Sequence, residues 1–439
     1  MTPTITNPDT TPTSGRLGYQ PALDGVRAIA ITLVVLYHYP WGVRRYGLNP
    51  VHGAFLGVDA FFVLSGFLIT TLLLQEHAMF GRVNIRRFYA RRALRLLPAF
   101  GVLWLIALVL FITLQRGDPL RAQWIGLVGT FFYAGNWVRI VHPNSLGMLQ
   151  QTWSLAIEEQ FYLVWPAVLI FMLRRHLRLR SIAALTAAGA LASAGYRAAY
   201  WGHAKSHANF AFYYFRTTSR PQPAYRFPGS SGQTFTLGMA EHLASVWDRV
   251  YYGSDTQADA LLAGCFTAIV LFWLLPRLNS RACRRLTGLA CLGLVGSALI
   301  VANAYSKFSN WLPLWGFLAF ALSISVLIVG LVADPTSWLA RFFALSPLVW
   351  LGRRSYAIYL FHELVYARLQ RRHVNLPSPV SFVFQITAIL VAAELSYRLV
   401  EAPMLRRKSR YAPETVAAGH GIVTAFDSTR DRRNNEHPD

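Results

Sequence analysis

Long blocks of apolar residues alternate with short arginine-rich stretches along most of the chain. A helix needs about 20 apolar residues to cross the hydrocarbon core of a bilayer. The pattern therefore predicts an all-α polytopic membrane protein, a bundle of about ten transmembrane helices. The blocks lie at residues 25–43, 54–75, 97–114, 154–173, 181–200, 257–275, 287–304, 312–333, 346–366 and 380–400.

The remaining segments complete the predicted organisation. A shorter apolar block at 124–137 is predicted to be re-entrant or interfacial, because it is too short to cross comfortably. The connection at 201–256 is longer than an ordinary loop, so we expect a functional extracytoplasmic segment there. A single domain is predicted at 20–406. It is flanked by disordered tails at 1–19 and 407–439 that are rich in polar residues.

Composition and charge agree with a membrane bundle. Apolar residues make up 54% of the chain and charged residues 14%, whereas soluble domains carry about 25% charged residues. The net charge is +22, but it is spread over clusters between the apolar blocks, which is typical of cytoplasmic loops and argues against nucleic-acid binding. Four clusters predict that both termini are cytoplasmic; ARLQRRH at 367–373 disagrees. The three cysteines have no metal-binding or disulfide spacing, so neither feature is predicted.

The first predicted span contains ionisable residues, which are costly in a membrane and by default functional. Asp24 and Arg27 lie three residues apart and can pair across one helical turn. Arg27 and His38 are close to three turns apart on nearly the same face, separated by roughly 16 Å along the axis. His38 suits general-base chemistry, because the histidine pKa lies near neutrality. A snorkelling arginine with an interfacial histidine is the alternative interpretation.

Other spans also carry polar residues. Asp59 and Gly66 lie seven residues apart on one face, and Gly66 would let another helix approach closely. Asp259 opens the sixth span, and His362 lies beside Glu363 in the ninth. Each acid or histidine is equally compatible with a buried polar bridge between helices.

The loop after the second span contains Arg92 and Arg95 on one helical face. Two guanidinium groups at this spacing form a fork suited to phosphate groups. Positive charge that simply marks a cytoplasmic loop, or binds lipid headgroups, explains the pair equally well.

The fourth span carries a polar stripe near its beginning. Ser154, Glu158 and Tyr162 recur at helical spacing, and Glu159 is adjacent to the stripe. An acid inside a span has few structural explanations, so this stripe favours a functional site.

Seven segments together resemble the membrane-bound acyltransferase-3 family. They read LDGVRAIAITLVVLYH, GVDAFFVLSGFLIT, FYARRALRLLPAF, WSLAIEEQFYLVWP, DTQADALLAG, SYAIYLFH and SYRLVEAPM. The resemblance covers roughly residues 20–406 in the family's order. It implies a bacterial cytoplasmic-membrane enzyme that moves an acyl group, expected to be acetyl, from cytoplasmic acyl-CoA. The acceptor would be a hydroxyl of a saccharide, cell-envelope glycan or glycosylated natural product.

The resemblance also implies roles for individual residues. His38 would be the base on the acceptor, and Glu158 would orient it or balance its charge. Arg92 and Arg95 would face CoA phosphate, and Arg27 would hold phosphate or pair with Asp24. The family's remaining motif positions fall on Asp59, Ser154 and Glu159. Lipids are expected partners, and no C-terminal SGNH-type esterase domain is expected.

Two points stay open at the level of sequence. The acyl group must cross the distance between Arg27 and His38, either on the pantetheine arm or on a transiently acylated residue. A transporter or flippase of an amphipathic solute is the competing function, because it too uses intramembrane charges. No inverted repeat of the transporter kind is visible, and a non-catalytic scaffold would not need polar stripes inside its spans.

Overall fold

The computed structural model describes residues 18–39, 52–114, 120–143, 145–207, 237–304, 311–371 and 378–407. Every regular element in these ranges is helical, which confirms the predicted all-α class. The α-helices are α1 (Pro21–His38), α2 (Gly57–Phe80), α3 (Ile85–Leu114), α4 (Leu120–Phe131), α5 (Gly135–Val141), α6 (Thr152–Arg174), α7 (Leu179–His207), α8 (Leu237–Tyr252), α9 (Ala258–Leu274), α10 (Ser280–Asn303), α11 (Phe317–Ala333), α12 (Trp338–Phe343), α13 (Ser346–Arg353), α14 (Ser355–Arg371), α15 (Ser378–Ser396) and α16 (Ala402–Arg407).

Eight helical segments of the described chain are long and apolar enough to cross a membrane, so the protein is a multi-pass membrane protein. They run over Pro21–His38, His52–Phe80, Ile85–Thr113, Thr152–Arg174, Ala258–Arg277, Ser280–Asn303, Leu312–Ala333 and Pro379–Arg406. Two of the ten predicted spans, the fifth and the ninth, are not among these eight segments. The fifth forms the long helix α7, which is rich in alanine and glycine rather than in larger apolar residues. The ninth is divided at Arg354 into α13 and α14.

The shorter apolar block forms two helices rather than one. The chain turns between α4 and α5, where Tyr133 adopts a left-handed conformation with φ 52°. Neither helix reaches the length needed for a crossing, as predicted. The 201–256 connection is more regular than a loop at both ends, since α7 continues to His207 and α8 occupies its second half. Residues 208–236 and most of both predicted tails lie outside the described residues.

Close contacts between helices fix the core of the bundle. A Cβ atom on Gly66 of α2 would lie 1.9 Å from the carbonyl oxygen of Leu261 in α9. A Cβ atom on Gly264 of α9 would lie 2.0 Å from the carbonyl oxygen of Val63. Glycine at both positions lets the two backbones touch, as is common between membrane helices. The close helix approach predicted at Gly66 is confirmed.

Candidate active site

A pocket of about 820 Å³, including its open mouth, lies among α1, α2, α3, α6 and α14. Apolar side chains line part of it, and the rest of its wall is polar. The polar residues are Arg27, Ser65, Arg92, Arg95, Ser154, Glu158, Tyr162, Ser355, Tyr356 and Tyr359.

The arginine of α1 is held by an acid one turn earlier. The Nη1 atom of Arg27 donates to Oδ1 of Asp24 at 2.7 Å, so the predicted pair is present. The hydroxyl of Tyr19, just before α1, donates to Oδ2 of the same carboxylate at 2.6 Å. Burial and this hydrogen bond raise the pKa of the Tyr19 phenol. Asp24 thus neutralises part of the charge at one end of the pocket and fixes the direction of Arg27.

The two arginines of α3 enter the same pocket. The guanidinium of Arg92 lies over the ring of Tyr162, a cation–π arrangement. Its Nε atom is 3.7 Å from Oε1 of Glu159. Arg95, one turn later, also lines the pocket and is exposed. The two residues predicted to form a fork therefore point into one pocket, together with Arg27.

The polar stripe of α6 faces the arginines. Glu158 accepts a hydrogen bond of 2.7 Å from the hydroxyl of Ser65 on α2. The Ser154 hydroxyl lies 2.6 Å from the hydroxyl of Tyr359 on α14. Tyr359 donates its own proton to the carbonyl of Gln151 at 2.8 Å, so Ser154 is the donor to Tyr359. The predicted stripe is confirmed as one wall of the pocket.

His38 lies outside that wall, at the other end of α1. Its Nδ1 atom is 2.8 Å from the carbonyl oxygen of Val34. Its Nε2 atom is 3.4 Å from Oε1 of Glu363, and its ring centroid is 5.1 Å from that of His362. The carboxylate beside His38 is therefore Glu363 of α14. The prediction that Glu158 orients His38 is wrong, because the Glu158 side chain turns toward Ser65 and the arginines.

Helix α14 connects the pocket to His38. Ser355, Tyr356 and Tyr359 line the pocket from its first turns. One turn later, His362 is completely buried, and its Nδ1 atom is 2.7 Å from the carbonyl oxygen of Tyr359. The ring centroids of Tyr359 and His362 are 5.5 Å apart. From the pocket wall to His38, side chains are thus in contact without interruption.

Comparison with known proteins identifies the family of the chain. The family model described as an acyltransferase domain matches residues 20–396. The chain belongs to the acyltransferase-3 family. The peptidoglycan O-acetyltransferase OatA of Listeria monocytogenes is 31% identical over 403 residues, covering 88% of this chain and 56% of that protein. The O-acetyltransferase OatA of Staphylococcus aureus is 30% identical over 403 residues, covering 89% of this chain and 58% of its own length.

The chain therefore spans little more than half the length of these relatives. No solved structure matches it at a significant level.

Two acids singled out from the sequence lie away from the acyltransferase-3 pocket lining. Asp259 is completely buried, and its two oxygens each accept a bond of 2.7 Å from Arg197 of α7. Asp59 is also buried, and neither of its oxygens has a hydrogen-bond partner among the described residues. Asp259 therefore holds α9 to α7, which is the structural interpretation left open for it.

Several residues of the site were not found from the sequence. Ser65 and Tyr359 were missed, and Glu363 was noted without a role; outside the site, Arg197 was missed as well. A signal existed for Arg197, because an arginine within a predicted span is costly unless it is paired. Tyr359 and Glu363 follow Ser355 at helical spacing, so the polar face of α14 was also visible.

Proposed function

We propose that this protein is an integral membrane O-acetyltransferase that moves acetyl from acetyl-CoA to a hydroxyl of a glycan. The observation that carries the proposal is an arginine-lined pocket whose far wall contacts His362, which in turn contacts His38. Peptidoglycan is the first acceptor to test, because the Listeria relative is named for it.

The pocket suits the donor on grounds of charge and shape. Arg27, Arg92 and Arg95 bring three guanidinium groups to it, and guanidinium groups bind phosphate oxygens bidentately. Leu68 and Ile69 offer apolar wall for the pantetheine arm. The arginine-rich segments that predict cytoplasmic loops include the one that carries Arg92 and Arg95, so acyl-CoA would enter from the cytoplasm.

His38 is suited to activate the acceptor. A carbonyl oxygen can only accept, so His38 donates from Nδ1 to Val34 and keeps a lone pair on Nε2. This nitrogen takes the proton of the acceptor hydroxyl while the hydroxyl oxygen bonds to the thioester carbon. The carbon–sulfur bond then breaks, and the proton passes from Nε2 to the departing CoA thiolate. Glu363 stabilises the imidazolium that exists between these two events.

Direct attack on acetyl-CoA is the simpler route for the acetyl group. The pocket extends to Ser154 and Tyr359, and only His362 separates that wall from His38. In this proposal the thioester is held at this end of the pocket, which is the end nearest to His38. We therefore propose that acetyl crosses on the pantetheine arm, without an acyl-enzyme intermediate.

The test measures transfer of labelled acetyl from acetyl-CoA to peptidoglycan fragments in membranes that contain the protein. His38→Ala is expected to lower kcat by about 10²–10⁴-fold, the usual contribution of a general base. His77→Ala, which removes a histidine at the end of α2, is the matched control and keeps activity. Unchanged turnover in His38→Ala contradicts the base role. Solute movement that needs no acyl-CoA supports the transporter alternative.

A further inference from the structure

His38, His362 and Glu363 form a cluster with the composition of a metal site. Each residue offers one ligand atom, and the three atoms lie within 4.8 Å of one another. His38 comes from the end of α1, while the other two are neighbours in α14. The sequence predicted no metal site, because no metal-binding spacing accompanies the cysteines. The fold brings them together.

Hydrogen bonds fix the tautomers of both histidines. The Nδ1 atom of His38 bonds to the carbonyl of Val34, and that of His362 bonds to the carbonyl of Tyr359. Carbonyl oxygens only accept, so each neutral ring carries its proton on Nδ1 and a lone pair on Nε2. Histidines that bind metals are held in this way, with the second nitrogen donating to a carbonyl or a carboxylate.

The groups that meet in the cluster are therefore all hydrogen-bond acceptors. Two imidazole lone pairs and a carboxylate meet there, and a single proton can bridge only the 3.4 Å gap between His38 and Glu363. Among the described residues, none is a hydrogen-bond partner of the Nε2 atom of His362, although this residue is completely buried. A buried acceptor without a partner is costly, so a further ligand is expected at this nitrogen. A divalent cation can satisfy all three groups at once.

We propose that His38, His362 and Glu363 bind a divalent transition-metal ion of the zinc class. Two imidazole nitrogens and one carboxylate suit zinc, and three protein ligands leave one position open for water or hydroxyl. His38 and Glu363 have side chains that are 23% and 17% exposed, which gives the ion a way in. Because the ion occupies the lone pair of His38, it also prevents His38 from acting as a base. This inhibitory effect rests on the proposed function, whereas binding does not.

Binding is tested on the purified chain, carrying an affinity tag without histidine, by titration with Co²⁺. We expect the visible d–d bands of a four-coordinate site at one ion per chain. Glu363→Gln and His362→Gln should each weaken binding by at least about tenfold, since even supporting residues of metal sites cost that much. His77→Ala should bind like the unmodified protein. If the buried His362 variant does not fold, the partly exposed Glu363 decides the result.

Two binding results would overturn the site: no bands at stoichiometric Co²⁺, or equal bands in all the variants. Inhibition is measured separately, as acetyl transfer with Zn²⁺ present and after its removal by EDTA. We expect Zn²⁺ to suppress transfer and EDTA to restore it. Binding without inhibition overturns the effect on the base. A protein that transfers no acetyl under any condition fails the proposed function, and the Co²⁺ spectrum still tests the site.

Discussion

The two ends of α1 differ in the charge they present. At the end near Arg27, three guanidinium groups point into a pocket. Asp24 binds Arg27, and Glu158 lines the same pocket. At the end near His38, the neighbouring groups are a second imidazole and a carboxylate. One end attracts anions, and the other attracts a proton or a hydroxyl hydrogen.

In the proposed mechanism, this difference separates the binding of acetyl-CoA from the activation of the acceptor. A base beside three guanidinium groups would be weak, because nearby positive charge disfavours its protonated form and so lowers its affinity for protons. His38 instead lies beside a carboxylate, with its Nε2 atom 3.4 Å from Oε1 of Glu363. Helix α14 bridges the two environments, since its first turns line the pocket and its next turn meets His38. Mutations at the two ends should therefore change different kinetic constants.

The largest of the remaining effects is expected at the basic end. Arg92→Ala combined with Arg95→Ala should raise the KM for acetyl-CoA by about 10–100-fold per arginine, because a charged hydrogen bond contributes about 1.5–3 kcal/mol. The kcat should change little. The matched control is Arg86→Ala with Arg87→Ala, which removes two exposed arginines from the first turn of α3.

Acetyl-pantetheine sharpens this measurement, because it lacks the phosphates and nucleotide of CoA. The arginine variant should use it as well as the unmodified protein does. An equal loss with both donors would show that the arginines do not recognise phosphate, and the comparison between the two ends would then fail.

The opposite kinetic pattern is expected at the His38 end. Glu363→Gln keeps the shape of the side chain but removes its charge, so the imidazolium loses its counter-ion. We expect kcat to fall by about 10–100-fold, from the loss of about 1.5–3 kcal/mol. The KM for acetyl-CoA should stay the same. Glu363→Asp, which keeps the charge, should retain more activity than Glu363→Gln; equal losses would mean that charge is not what Glu363 supplies.

The smallest effect is expected where the two environments meet. Tyr359→Phe removes the hydroxyl that contacts Ser154 and the carbonyl of Gln151. A neutral hydrogen bond contributes about 0.5–1.5 kcal/mol, so kcat/KM should fall by about 2–10-fold. Tyr89→Phe removes a hydroxyl that donates to the carbonyl of Leu163 outside the pocket lining and serves as the control. A loss above a hundredfold would indicate that Tyr359 itself takes part in the reaction.

Contacts along one helix were predictable from the sequence, whereas contacts between distant helices were not. Helical periodicity placed Asp24 next to Arg27 and put Ser154, Glu158 and Tyr162 on one face, and the structure agrees. The neighbours of a side chain on another helix depend on how the bundle packs, which no local spacing encodes. For this reason His38 was given the wrong acid.

Two of the ten predicted spans are not among the eight segments of the described chain that are long and apolar enough to cross a membrane. One of them, α7, is rich in alanine and glycine residues, which contribute less hydropathy than larger apolar residues. The ninth block looked continuous because Arg353 and Arg354 interrupt it only briefly. In the structure the helix is interrupted at Arg354. The second of the two helices, α14, supplies part of the pocket wall and the residues that contact His38.

The pair formed by Arg197 and Asp259 has a consequence for biogenesis. An arginine at the centre of a helix costs about 2.5–3.5 kcal/mol on insertion scales, and α7 has little hydropathy to offset that cost. Its counter-ion lies in α9, which is synthesised later. The buried ion pair of Arg197 and Asp259 offsets that cost, because each charge neutralises the other. The charge of the earlier helix is therefore balanced only once the later helix has been made.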